Sequence, residues 1–182
     1  MESFKIILLS IFAAIAYGIV HDQFTARICV EYFTIGHPQI FGTEDPTLLG
    51  IGWGILATWW VGVFLGIPAA VMARIGSWPK RDARWLLRPI AVLMALSACG
   101  AILAGLAGWW LASRGIVRLV GPIADEVPPE KHVQFLIDGF AHSASYGCGF
   151  VGGLVLMAYI FRSRQKEAAR AKAQLPSPPA AS

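Results

Sequence analysis

The sequence predicts an all-α integral membrane protein, a bundle of four transmembrane helices with both termini in the cytoplasm and the fourth helix extended on the outer side. The first observation is composition: 56% of the 182 residues are hydrophobic and 14% are charged, whereas soluble domains carry about 25% charged residues. The second is that four stretches stay apolar over about the 20 residues needed to cross the hydrocarbon core of a bilayer. The third is an uneven distribution of lysine and arginine, which gives the orientation.

The predicted transmembrane helices are residues 4–22, 46–74, 86–113 and 130–162, within a transmembrane domain of residues 1–165. Asp45 and Pro46 are typical of an N-cap and a first-turn proline at the start of the second helix. Pro68 is expected to kink the same helix. The polar residues 166–182 form a cytoplasmic tail that we predict to be disordered.

Positive charge falls mainly on one side of the predicted membrane. That side holds 11 of the 15 lysine and arginine residues, at the N-terminus, between the second and third helices, and after the fourth. The opposite loops hold eight of the 11 acidic residues. Because cytoplasmic loops carry the excess of lysine and arginine, we predict a multi-pass protein of the inner (cytoplasmic) membrane. The same distribution argues against a nucleic-acid-binding surface, which needs basic residues gathered on one folded face.

The N-terminal segment also has features of a secretory signal. Lys5 precedes an apolar stretch, and residues 14–16 (Ala-Ile-Ala) have the small-x-small pattern of a cleavage site. Cleavage there would leave three transmembrane helices. We favour an uncleaved helix, because Glu2 offsets the charge of Lys5 and apolar residues continue beyond Tyr17.

Small residues recur four positions apart in three of the predicted helices. Such spacing lets helix backbones approach closely in lipid. We expect these faces to pack within the bundle or against a partner, either another membrane protein or a second copy of the chain. The sets are Gly50 with Gly54, Gly62 with Gly66, Gly100 with Ala104 and Gly108, and Gly149 with Gly153.

All four histidines fall on the predicted outer side, and none lies in the second or third helix. Two of them reach a similar depth. His21 lies 16 residues from Lys5, about 24 Å along a helix. His142 lies 20 residues from Arg162, about 30 Å along a helix. The two imidazoles are therefore predicted to meet near the outer boundary of the hydrocarbon, provided that the first and fourth helices are neighbours.

Polar residues share helix faces with these two histidines. Asp138, His142 and Tyr146 are spaced four residues apart, as are Tyr17 and His21, so each set lies on one face. Imidazole and carboxylate groups are ligands of zinc, iron and copper, and two histidines are also able to hold a single haem b. The candidate metal ligands are His21, Asp22, Glu31, His37, His132, Asp138 and His142, with Tyr17 and Tyr146 as supporting residues. Glu31, His37 and His132 are expected to close over the group from the outer side.

In helix number and size the chain resembles the bacterial cytochrome b561 family, which holds two haems between histidine pairs near both membrane faces. The predicted cytoplasmic half has no histidine, so the sequence is compatible with only one haem, between His21 and His142. The spacing of Asp138 and His142 is similar to a ligand pair in the C subunit of copper membrane monooxygenases. The closely spaced histidine boxes of membrane desaturases and hydroxylases are absent.

Three functions are open from the sequence. The first is a metal-binding or redox membrane protein; if it hydrolyses a substrate, a metal-bound water is the nucleophile and Glu31 or Asp22 is the base. The second is a non-enzymatic subunit or scaffold, in which the polar cluster is purely structural. The third is a small proton-coupled transporter. The sequence argues against the third, because the second and third helices contribute only Thr58, Ser97 and Cys99 to a polar path.

Overall fold

The computed structural model describes residues 1–174, and these residues form helices and turns with no β-strand among them. The elements are α1 (Glu2–Ile28), α2 (Val30–Thr34), α3 (Pro46–Leu56), α4 (Trp59–Arg74), α5 (Ala83–Ser113), α6 (Pro122–Glu126), a short 3-10 turn (Pro129–Lys131) and α7 (His132–Ala173). Four helical segments are long and apolar enough to span a membrane: α1, α3 with α4, α5, and α7 with the turn before it. The predicted all-helical class and its four helices of membrane-spanning length are therefore confirmed.

The four long segments form two pairs. α1 packs along α3 and α4, and α5 packs along α7, with fewer contacts between the pairs. Glycines bring the first pair together: a Cβ added to Gly54 would lie 2.5 Å from the backbone nitrogen of Ile19, and one added to Gly62 would lie 2.5 Å from Cα of Ile11. No side chain fits at such distances, so these backbones touch. We call the boundary between the two pairs the seam.

The predicted small-residue faces are used mainly inside the chain. The predicted glycines of α3 and α4 face α1, those of α5 face α7, and Gly153 of α7 faces Leu65. Gly149 is different, because a Cβ added there meets no atom within 4 Å. Association with a partner or a second copy through these faces stays a prediction.

One end of the seam is closed by an apolar core and by arginines, and we call it the arginine end. The buried core residues there are Ile6, Ala69, Ala70, Ala73, Leu86, Ile90 and Ile160. Arg164 of α7 is only 1% exposed. It donates hydrogen bonds of 2.5 to 3.2 Å to the carbonyls of Met72, Ile75, Trp78 and Pro79. The guanidinium therefore satisfies carbonyls that the end of α4 leaves without helical partners.

The second long segment begins as predicted, and it also has an interruption that the sequence analysis did not predict. Asp45 accepts hydrogen bonds of 2.9 Å from the backbone N–H groups of Thr47 and Leu48, and Pro46 opens the helix. α4 continues through Pro68, and the interruption lies between α3 and α4. There the hydroxyl of Thr58 donates to the carbonyl of Gly54, which is the kind of side-chain competition that bends helices. The kink predicted at Pro68 stays a prediction.

The last helix runs farther than the sequence prediction. Residues 166–173, expected in a disordered tail, belong to α7. They are rich in alanine, lysine, arginine and glutamate, which are strong helix formers, and extending a formed helix needs no new nucleation. The rest of the predicted tail, residues 175–182, lies outside the described residues.

Candidate metal centre

His21 and Asp22 of α1 meet His142 of α7 across the seam, at the end opposite the arginines, which we call the histidine end. One ligand atom from each of these side chains lies within 4.8 Å of the other two. The ring centroids of His21 and His142 are 4.6 Å apart. Asp22 Oδ1 lies 3.2 Å from His142 Nε2. The two imidazoles therefore meet, as their similar depth predicts.

The surroundings of His142 determine which ring nitrogen carries a proton. Nδ1 lies 2.9 Å from the backbone carbonyl of Asp138, and a carbonyl oxygen only accepts, so Nδ1 is the donor. When the ring is neutral, Nε2 therefore presents its lone pair to the carboxylate of Asp22. Two acceptors repel each other unless a proton or a metal cation lies between them. Metal-binding histidines commonly donate their other ring N–H to a backbone carbonyl in this way.

Other polar atoms at the histidine end are buried without partners. Nε2 of His21 and both carboxylate oxygens of Asp138 have no hydrogen-bond partner, and the side chain of Asp138 is fully buried. Leaving such a group unsatisfied costs about 1 to 3 kcal/mol. The carbonyl of Asp138 contacts His142, while its carboxylate lies outside the compact group formed by His21, Asp22 and His142.

The two supporting tyrosines cross the seam. The hydroxyl of Tyr17 lies 2.8 Å from Ser145 Oγ on α7, and the Tyr17 ring stacks on His21 with centroids 5.8 Å apart. The hydroxyl of Tyr146 donates a long 3.5 Å hydrogen bond to the carbonyl of Ala57, where α3 and α4 are interrupted. Both side chains therefore join the two helix pairs beside the histidines.

An aromatic cap covers the group, and the sequence prediction did not include its main residue, Tyr32. The Tyr32 ring stacks on His142 with centroids 4.6 Å apart, and the Phe33 ring approaches the same imidazole edge-on at 5.7 Å. Burial raises the pKa of Tyr32 to about 12, so its hydroxyl stays protonated. His37 extends the cap, because its Nδ1 bonds the Tyr32 carbonyl at 2.8 Å and its ring packs on Trp53 at 4.6 Å.

The backbone conformation of Cys29 allows the aromatic cap to reach the histidines. It has extended backbone between α1 and α2, so the chain turns and α2 lies over the end of the seam. A run of apolar and aromatic residues marks this segment in the sequence, but nothing in the run identifies the turn. Burial raises the pKa of the Cys29 thiol to about 12, which makes it a buried structural group and not a reactive thiolate.

Four of the seven predicted ligands lie outside the group: His37 and the Asp138 carboxylate, described above, and Glu31 and His132. Glu31 pairs with Lys131 at 3.4 Å. Burial acts to raise the pKa of Glu31, but hydrogen bonds from its own backbone, Cys29 and Lys131 outweigh burial and lower the pKa. His132 Nε2 lies 3.1 and 2.9 Å from the carbonyls of Ala124 and Val127. These contacts hold the loop before α7, so Glu31 and His132 have structural partners of their own.

The donor set of the group fits a small transition-metal ion. Two imidazole nitrogens and one carboxylate oxygen are the ligands of some catalytic zinc sites and of the non-haem iron facial triad, and both leave coordination positions open. With metal–ligand bonds of about 2.0 to 2.1 Å, tetrahedral ligand atoms lie about 3.3 Å apart. Asp22 Oδ1 and His142 Nε2 are already at about that spacing, at 3.2 Å, so His21 is the ligand that would have to move closer. His21 Nε2 is free for such a bond, since it has no hydrogen bond to give up.

Comparison with known proteins gave no match to a protein-family model, a curated protein or a solved structure. The chemistry of the histidine end therefore has to be inferred from its own residues.

Proposed function

We propose that this protein is a multi-pass protein of the cytoplasmic membrane, with both termini inside, which binds one transition-metal ion at His21, Asp22 and His142 and uses it in a redox or metal-dependent reaction. The observation that carries the proposal is the contact between His142 Nε2 and the Asp22 carboxylate. The Nδ1 of His142 is committed to a carbonyl, so a cation between the two acceptors relieves their repulsion. The adjacent unpartnered Nε2 of His21 supplies a third donor.

A bare ion is favoured over haem b. A haem between two axial histidines holds the imidazoles on opposite sides of the iron, with ring centroids roughly 6 Å apart if the metal–nitrogen bonds are about 2.0 Å. The His21 and His142 centroids are 4.6 Å apart, which leaves no room for a porphyrin plane. Zinc and iron suit two imidazoles and one carboxylate, and copper is the third candidate.

The alternative functions have less support. For a scaffold that packs through glycines, most of the glycine faces are already occupied within the chain. For a proton-coupled transporter, a polar path would have to continue through the arginine end, where the seam is filled by alanine, leucine and isoleucine side chains. Neither alternative accounts for unpartnered polar atoms gathered beside two histidines.

The proposal is tested by measuring metal content. Protein is purified from cells supplied with zinc, iron and copper, and analysed for bound metal in wild type, His21→Ala, His142→Ala and His132→Ala. We expect one ion per wild-type chain, loss of the ion in both of the first two variants, and retention in the third, whose imidazole bonds loop carbonyls. Circular dichroism shows that each variant is folded. A metal-free wild type, or full retention after either ligand change, would sink the proposal.

The proposed orientation has a separate test. A single cysteine placed at Glu44 should react with a membrane-impermeant maleimide on intact cells, while one placed at Lys80 should react only after the cells are opened. Both variants are made in a background from which Cys29, Cys99 and Cys148 have been removed. The opposite labelling pattern would reverse the assigned topology.

A further inference from the structure

A narrow cavity runs along the seam from the histidine end into the middle of the bundle. Its volume is about 140 Å³, and its lining on α1 extends from Asp22 to Ser10. Twelve helical residues correspond to a length of about 18 Å. The cavity is therefore much longer than it is wide, a shape that suits an extended chain.

The two halves of the cavity differ in chemistry. The upper half is formed by the group of His21, Asp22 and His142 under its aromatic cap. In the lower half the hydroxyls of Ser10 and Thr58 donate to carbonyls of their own helices, so the wall is mainly carbon. Ser97 Oγ is a buried hydroxyl in this wall without a partner. A largely apolar cavity of this size is a poor site for water and a good site for hydrocarbon.

The cavity is closed at its lower end. Its floor includes Ala69 and Ile90, which belong to the buried core of the arginine end. A molecule that enters the seam therefore stops there. The shape is that of a binding site and not of a path across the membrane.

A lateral groove lies beside the cavity on the outer surface of the bundle. The groove has a volume of about 510 Å³ and lies between α1, α5 and α7, with apolar lining such as Phe24, Leu106 and Trp109. Tyr17 and His21 line both the groove and the cavity. In the proposed membrane orientation the groove faces lipid, so a ligand dissolved in the bilayer could approach the cavity at Tyr17 and His21.

We propose that the cavity binds a single-chain amphiphile, with its apolar chain in the lower half of the seam and a neutral oxygen-bearing head, such as a hydroxyl, at the histidine end. The head is neutral because an ionised head would lose its hydration on entering the cavity, where no lysine or arginine is among the described lining residues to pair with it. This ligand is the substrate class of the proposed metal centre, and only the contact between head and metal rests on the proposed function. The proposed site for the ligand's apolar chain, which we call the chain site, rests on the cavity alone.

Gly149 provides a way to fill the cavity without touching the metal ligands. It lines the cavity, lies seven residues after His142, and a Cβ added to it meets no atom within 4 Å. A leucine side chain at this position should fill the part of the cavity that the ligand's apolar chain would occupy. Gly147 is a matched control on the same helix, because it has the same freedom for a Cβ but does not line the cavity.

The experiment uses n-decanol that carries a photoreactive diazirine near the end of its chain. Wild-type protein, Gly149→Leu and Gly147→Leu in lipid nanodiscs are irradiated with the probe, with and without metal, and the labelled residues are mapped by mass spectrometry. We expect labelling of Leu93 and Met94 in wild type and Gly147→Leu. Excess unlabelled decanol should compete, and Gly149→Leu should reduce this labelling at least tenfold while lipid-facing residues such as Leu103 are labelled as before.

Failure of this inference and failure of the proposed function give different results. Absence of competable labelling in the cavity, with metal and without it, overturns the amphiphile site whatever the metal content is. Equal cavity labelling in Gly149→Leu and wild type also overturns it. Cavity labelling in a protein that binds no metal would support the chain site and reject the metal centre.

Discussion

The two ends of the seam each bury an ionisable side chain of α7, but its polar atoms are hydrogen-bonded at one end and unpaired at the other. At the arginine end every nitrogen of the Arg164 guanidinium donates to a carbonyl. At the histidine end both oxygens of Asp138 are without partners. A satisfied buried charge holds a structure together, whereas an unsatisfied one lowers stability and is retained only where it has another use. The arginine end is therefore structural, and the histidine end is where the proposed function places its chemistry.

The largest expected effect comes from removing the satisfied charge. In Arg164→Leu the carbonyls of Met72, Ile75, Trp78 and Pro79 lose their shared donor. Because hydrogen bonds to a charged group contribute about 1.5 to 3 kcal/mol each, we expect the free energy of unfolding in detergent to fall by about 3 kcal/mol or more. Arg162→Leu is the control, since Arg162 is exposed and should change stability little. An equal loss of stability in Arg164→Leu and Arg162→Leu would contradict the structural role of Arg164.

Replacing the buried ionisable side chain by leucine should have the opposite effect on stability at the histidine end. Asp138→Leu removes a fully buried carboxylate that has no hydrogen bond to lose, so the metal-free protein should be about 1 kcal/mol more stable or more. The measurement is the thermal unfolding midpoint of the metal-free protein. A large loss of stability would mean that Asp138 is a structural group like Arg164.

A smaller effect, confined to alkaline pH, is expected from Cys29 under the aromatic cap. Burial raises the pKa of its thiol from 9.0 to about 12, so between these values the folded protein keeps a proton that the unfolded chain has lost. The free energy of unfolding should therefore be unaffected below pH 9 and fall as pH rises from 9 to about 12. Cys29→Ala should lack this part of the decline. Parallel pH profiles for wild type and the variant would contradict the predicted burial of the thiol.

The sequence predicted what depends on periodicity and counting, and it missed what depends on a turn of the backbone. The apolar lengths of four segments and the similar depth of His21 and His142 required only the rise of a helix. Asp138 lies on the same helix face as His142, yet its carboxylate stays apart and its carbonyl makes the contact. A side chain's face can be read from spacing, but its hydrogen-bond partners cannot.

The aromatic cap shows the same limit more clearly. The extended backbone at Cys29 brings Tyr32 onto His142, and this depends on packing between α2 and the end of α7, which no local pattern reports. Glu31 and His132 were predicted ligands because their residue types fit a metal. In the structure Glu31 pairs with Lys131, which is far from it in sequence. His132 bonds two backbone carbonyls, and those contacts depend on the fold of the loop before α7.

The central claim is that His21, Asp22 and His142 bind a metal ion, and X-ray absorption spectroscopy of the purified, metal-loaded protein tests it most directly. We predict a first shell of nitrogen and oxygen at about 2.0 to 2.1 Å, with the outer-shell scattering of two imidazoles and no sulfur. In His142→Ala the imidazole scattering should be halved or the metal lost. A sulfur shell from the cysteines, or a shell of oxygens without imidazole, would contradict the assignment of His21, Asp22 and His142 as the site.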